Sequence, residues 1–234
     1  MRKFVFVSTF IFCLFFFNNF NSQKAQAQEA VANIQLQVAV PQGEFRDQLE
    51  EIGFGLNGMI GYMLPNSPLV LGLDMGFITF GSETRTEPLS PTIPDLRVEV
   101  ENSYNMFHAH FLARVTGRDE TFRPFVDFLV GFNYLFTQTT VRSRGSMEDV
   151  FTDTNFDDFA LSYGLGAGMK YRVYQDRNTG SRVYINLQGR YLIGNDAEYL
   201  RPGSVVVENG DVSYDVRSSS TNLLYIQLGA SIAF

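Results

Sequence analysis

Tryptophan is absent, and cysteine occurs once, at Cys13. That cysteine lies within an apolar run, lacks the small residues that precede a lipid-modified cysteine, and is followed by bulky Phe15, Phe16 and Phe17. If the run is removed on export, the remaining chain has no disulfide or thiol chemistry. A membrane-spanning helix is missing too. The apolar stretch at 5–17 holds 13 residues, short of the roughly 18 that cross a bilayer, and nothing later is longer. Basic residues are scarce. Without Arg2, Lys3 and Lys24, the 18 basic residues fall to 15 against 25 acidic ones, a net charge of −10, which argues against nucleic acid as a partner.

What is present begins with a secretory layout. Arg2 and Lys3 form a charged start, 5–17 the apolar segment, and Ala25-Gln26-Ala27 a small-residue cleavage site. Residues 1–27 therefore read as a signal peptide and 28–234 as one exported domain. The whole sequence holds 23 Phe and 11 Tyr, a heavy aromatic load.

The dominant pattern is strict alternation, the period of a strand with unlike faces. At 33–40, Ile34, Leu36, Val38 and Val40 oppose Asn33, Gln35, Gln37 and Ala39. The same division recurs at 51–64, 69–80, 98–115, 124–140, 159–173, 182–194 and 221–234, eight strands in all. Short turns at 65–68, 117–123 and 176–181 alternate with longer polar stretches at 41–50, 81–97, 141–158 and 195–220. With Pro88, Pro91 and Pro94 in it, 81–97 is expected to be loop. The expectation is an all-β fold: an eight-stranded antiparallel up-and-down transmembrane β-barrel with short periplasmic turns and longer extracellular loops.

Alternation alone does not say which face points inward. The polar set does, because it mixes Asp74, Arg114, Asp127, Lys170, Arg172 and Arg190 with glycines at 72, 76, 131, 164, 166 and 168. Glycines weaken a solvent-facing strand, but they make room in a narrow lumen for long charged chains. The apolar set, rich in Phe with Tyr62, Tyr171 and Tyr191 toward strand ends, then forms the lipid-facing belt.

The last strand ends with polar Gln227 and Gly229 on one face, then hydrophobic Ile232 and aromatic Phe234 on the other, which resembles the terminal assembly signal of outer-membrane barrels. Together with the eight-strand pattern, the chain resembles the outer-membrane β-barrel domain family, of the small OmpA/OmpX-like type. The resemblance implies a cell outer membrane location in Gram-negative bacteria and contact with membrane lipid and lipopolysaccharide. It also implies insertion by the barrel assembly machinery. Ending at the final strand, the chain is expected to lack the periplasmic domain that longer members append.

For chemistry the candidates are few. The stretches 41–51, 81–97, 141–158 and 195–220 hold 17 acidic and 7 basic residues, so all of the net charge sits there. Glu148, Asp149, Asp153, Asp157 and Asp158 form the densest group, without calcium-loop spacing. Inside, Asp74, His108, His110, Arg114, Asp127, Lys170, Arg172 and Arg190 are expected to form a charged lumen network, with Arg114 and Asp127 paired across neighbouring strands and no open pore. His108 and His110 could bind a metal, but spacing fixes no third ligand. Neither metal, cofactor nor catalytic residue is therefore expected. The functional expectation is a structural, envelope or surface-interaction barrel that meets extracellular proteins through its loops. Alternatives are passage of a small apolar ligand past Met59, Met63, Met106 and Leu129, or a lipid-A-modifying enzyme.

Overall fold

The computed structural model describes residues 29–90, 93–119, 121–143, 149–208 and 211–234; the expected signal segment at 1–27 lies outside them. Eight strands form a closed antiparallel ring. They are β1 (Ala30–Pro41), β2 (Gly53–Met63), β3 (Leu69–Ser90), β4 (Ile93–Thr116), β5 (Phe122–Ser143), β6 (Asp149–Gln175), β7 (Arg182–Gly194) and, after the last long connection, β12 (Leu223–Ala233). β12 closes the ring between β7 and β1: Leu228 faces Leu187 on one side and Leu36 on the other. Closure leaves no strand edge in the ring, so every backbone donor there can pair within the wall, as a lipid surround demands.

The side-chain period of two decides the rest. Ile34, Leu36, Phe54, Leu73, Phe111, Phe128, Leu161 and Ile185 are exposed on the outer wall, Phe111 by 70%. Asn33, Gln35, Asn57, Asp74, His108, Arg114, Asp127 and Arg190 are buried inside. Such a continuous apolar exterior would aggregate in water and is matched to hydrocarbon. Two glycines show how tightly the wall is drawn. A Cβ on Gly131 would lie 2.0 Å from the Ala109 carbonyl oxygen, and one on Gly76 2.4 Å from the His108 ring. Any side chain there would push β4 or its histidine away.

Several expectations about the connections are corrected. The stretch 81–97 is not loop. β3 and β4 stay paired to Ser90 opposite Ile93, with a register shift after Thr79. Most of 141–158 is likewise strand, since β5 and β6 pair up to Arg142 opposite Asp149. Both segments continue the sheet past the ends of β2 and β7, and their sequences carry no apolar alternation. Backbone ladder bonds hold them instead, and Pro88 is tolerated on β3, the outer strand of this extension.

The polar connection at 41–50 contains a short helix, α1 (Glu44–Leu49), that buries Phe45 and Leu49. The connection at 195–220 folds as two nested two-stranded ladders. β8 (Asp196–Tyr199) pairs with β11 (Arg217–Ser220), and β9 (Val205–Glu208) with β10 (Asp211–Tyr214).

Candidate functional site

The interior is organised from the short-turn end upward. At that mouth Glu29 accepts from Arg182 at 2.6 Å and from Arg123 at 3.4 Å. Deeper, Arg114 faces Asp127 in the β4–β5 register. Its Nε donates to Oδ1 at 2.6 Å and its Nη2 to Oδ2 at 2.8 Å. This two-pronged geometry is the one a guanidinium fork makes best with a carboxylate. The guanidinium also lies over the Phe125 ring, 3.8 Å from its centroid.

Arg190 then links two carboxylates, donating to Asp127 at 3.0 Å and to Asp74 at 2.9 Å. A belt of amides extends the network around the wall. Gln188 accepts from Arg114 and donates to Gln35 and Gln227, while Gln227 donates to Gln37. Gln227, noted above for the terminal signal, is thus also a lumen residue.

Above Arg190, Asp74 faces His110 across β3 and β4 and accepts from the Asn57 amide at 2.9 Å. The same amide reaches His108 Nε2 at 3.3 Å. His110 Nε2 contacts the Ser162 hydroxyl at 2.5 Å, and Ser162 donates on to Asn133 at 3.3 Å. His108 packs edge-on against Tyr225, with centroids 5.4 Å apart.

One ligand atom each from Asp74, His108 and His110 lie within 4.8 Å of one another. Asp74 is therefore the third ligand that spacing along one strand could not reveal; it comes from the neighbouring strand. Charge works against a cation there. Asp74 spends Oδ2 on Arg190 and Oδ1 on Asn57, so a divalent ion would sit beside a fixed guanidinium. The arrangement is not a nucleophile relay either. Ser162 contacts His110, whereas Asp74 is 3.8 Å from the other histidine, His108, and all four side chains are buried.

Of the residues singled out in the sequence, Asp74, His108, His110, Arg114, Asp127 and Arg190 meet in the interior, and Lys170 lies buried just below them. Arg172 does not join them. It is half-buried near the short-turn end, beside Thr121. Met59, Met106 and Leu129 are buried, and Met63 is partly exposed at the mouth. In the acidic group Glu148 lies outside the described residues; Asp157 accepts from Tyr134, and Asp158 accepts the Glu198 N–H.

The outer mouth is built differently. Phe45 of α1 packs edge-on against Phe80 and Tyr199, at centroid distances of 5.8 and 5.1 Å. Tyr104, Leu200 and Val205 form a second apolar cluster, with Phe156 against it. Arg201 donates to the Gln48 carbonyl, tying the last connection to the helix. Nothing in the sequence pattern of 41–50 announced this lid, because two apolar residues in one helical turn leave no period to read.

No protein-family model and no curated protein matches the chain. Solved structures that resemble it include Neisserial surface protein A, with 12% identity over 88% of this chain and 95% of that one, TM-score 0.43. The attachment invasion locus protein Ail of Yersinia pestis shares 13% identity over 89% of this chain and 100% of that one, TM-score 0.38. OprG of Pseudomonas aeruginosa shares 10% over 89% and 97%, TM-score 0.39. With its closed eight-strand ring, polar interior and unbroken apolar exterior, the chain is a small outer-membrane β-barrel.

Proposed function

We propose that this barrel is a closed envelope protein that engages protein partners at the cell surface through an outward-projecting sheet. One observation carries the reading. β3 to β6 run on past their neighbours: β2 stops pairing with β3 at Phe54 opposite Thr79, and β7 stops pairing with β6 at Ser162 opposite Gly194. Beyond those points β3–β6 continue as a four-stranded extension whose β3 and β6 edges are not paired by ring strands. A strand of ten residues there reaches roughly 33 Å. Strand edges are templates for strand addition by a partner, and the last connection touches these two at side chains such as Arg85, which donates to the Val205 carbonyl, and Asp158, which accepts the Glu198 N–H. Acidic residues along the extension and the neighbouring connections favour a partner with basic complementarity.

A closed lumen is part of the proposal. Ion pairs and the glutamine belt occupy the middle, and the apolar lid lies above them. Conductance in planar bilayers is expected to be negligible, and a stable open level of porin size would defeat the idea. The apolar-passage alternative has little room. The cavity between Phe45, Phe80, Leu135 and Tyr199 offers about 20 Å³, near the space of one water. Residues 1–27 would direct export, with Gln227, Gly229, Ile232 and Phe234 engaging the assembly machinery, and lipopolysaccharide would surround the outer half. We read the buried histidines as structural, not as a lipid-A hydrolase.

The test is chemical crosslinking on intact outer membranes with a variant in which 83–97 is replaced by a tight turn. Specific crosslinked species should vanish while heat-modifiable gel migration, the mark of a folded barrel, persists. Unchanged crosslinking in a folded variant would refute the surface role.

A further inference from the structure

The short-turn mouth carries more positive charge than its acids neutralise. Lys170 is the one lysine beyond residue 27 in the sequence, and it is only 6% exposed. Its Nζ lies 5.9 Å from the centroid of the Phe125 ring. Two carboxylates lie within electrostatic reach, Asp127 and Glu29, and each is already held by two arginines. Asp127 serves Arg114 and Arg190, and Glu29 serves Arg182 and Arg123. Among the described side chains of the mid-lumen and this mouth, Arg114, Arg123, Lys170, Arg172, Arg182 and Arg190 stand against Asp74, Asp119, Asp127 and Glu29, six cations to four carboxylates.

Hydrogen bonding points the same way. One pocket is lined by Glu29, Arg114, Arg123, Lys170, Tyr184 and Ser231. Of these, Arg114 Nη1, the Tyr184 hydroxyl and the Ser231 hydroxyl are buried without a protein partner. All three can donate, as can the lysine, while the one carboxylate in the lining, Glu29, is already engaged by Arg182 and Arg123. A buried charge without a counter-charge is costly. The free space is about 10 Å³, the room of one water-sized particle.

We propose that this mouth is a binding site for a small monovalent inorganic anion of halide size, held by Lys170 and Arg114 Nη1 with the Tyr184 and Ser231 hydroxyls. The size excludes phosphate and organic acids, and the positive surplus excludes metal cations. Glu29, clamped between Arg182 and Arg123, is the chain's own acid at the same mouth. The bound anion completes the charge balance that Glu29 leaves unfinished, and it is held independently of any partner at the outer end.

The full chain, purified from outer membranes in a non-ionic detergent, is tested with chloride against gluconate at equal ionic strength. Chloride should raise Tm saturably, and ³⁵Cl line broadening should be reversed by bromide. Lys170→Met should weaken the apparent chloride affinity about tenfold or more, the scale of one lost hydrogen bond to a charged group. Arg46→Gln, at the opposite mouth, should leave it unchanged. Equal Tm in both salts, a chloride response that survives Lys170→Met, or its loss in Arg46→Gln would overturn the proposal. If Lys170→Met fails to fold, bromide-soaked crystals of the unaltered protein decide. An anomalous peak beside Lys170 Nζ supports the site, and a featureless pocket refutes it.

Discussion

The two ends of the lumen are filled by opposite physics. Toward the short turns the space is occupied by ion pairs, with Arg190 shared between Asp74 and Asp127. At the outer mouth it is occupied by Phe45, Phe80, Tyr199 and Leu200. A buried ionic network is all-or-none, because each charge left over after a change keeps its full desolvation cost. An aromatic lid degrades gradually, losing contact area and leaving a cavity that neighbours partly fill. The contrast suits a barrel with a rigid base and a more adaptable mouth.

The largest effect should come from Arg190→Ala. Two buried carboxylates would lose their common partner, costing about 3–5 kcal/mol, read as a drop in urea midpoint with the whole ring affected. Phe45→Ala tests the other end. It should cost about 3 kcal/mol of local contact, yet appear as faster amide exchange in α1 and β8 with little change in global unfolding. If it lowers the global midpoint as much as Arg190→Ala does, the distinction between base and lid fails.

A smaller effect is expected from replacing His108 and His110 together by Asn. Loss of their hydrogen bonds to Asn57 and Ser162 should cost roughly 1–2 kcal/mol, with lipid A unchanged by mass spectrometry. A gained or lost acyl chain would bring back the enzymatic alternative.

The smallest concerns the turn between β4 and β5. The Phe122 and Thr121 N–H groups donate to Asp119 and hold its carboxyl below the ordinary range. A depressed folded value means the turn gains stability above about pH 4 and loses it as pH falls through that lower value. Exchange at Thr121 and Phe122 should therefore quicken on acidification, while the network around Arg190 stays closed. Unaltered exchange down to pH 2 would contradict the turn's dependence on the charge.

Reading the chain was most successful where one face met lipid. Ile34, Leu36 and Phe111 alternate with buried partners because hydrocarbon and lumen select opposite residues at each step. Arg114 and Asp127 could be paired from their distances to a common short turn, since a hairpin sets its own register. The same reasoning failed at 81–97, where the strands pair through their backbones and the sequence has no alternating trace. It failed at Phe45 for want of length.

By itself, then, the order of residues determined the number of ring strands, their inward and outward faces, and the pairing of Arg114 with Asp127 across one short turn, because these follow from a period of two and from the turn between β4 and β5. Only the closed tertiary structure decided which interior groups meet. Asp74 and Arg190 are 116 positions apart and on strands that never pair with each other. Their contact exists because the ring curves until opposite walls are one side chain apart, and neither curvature nor stagger is written in any single strand.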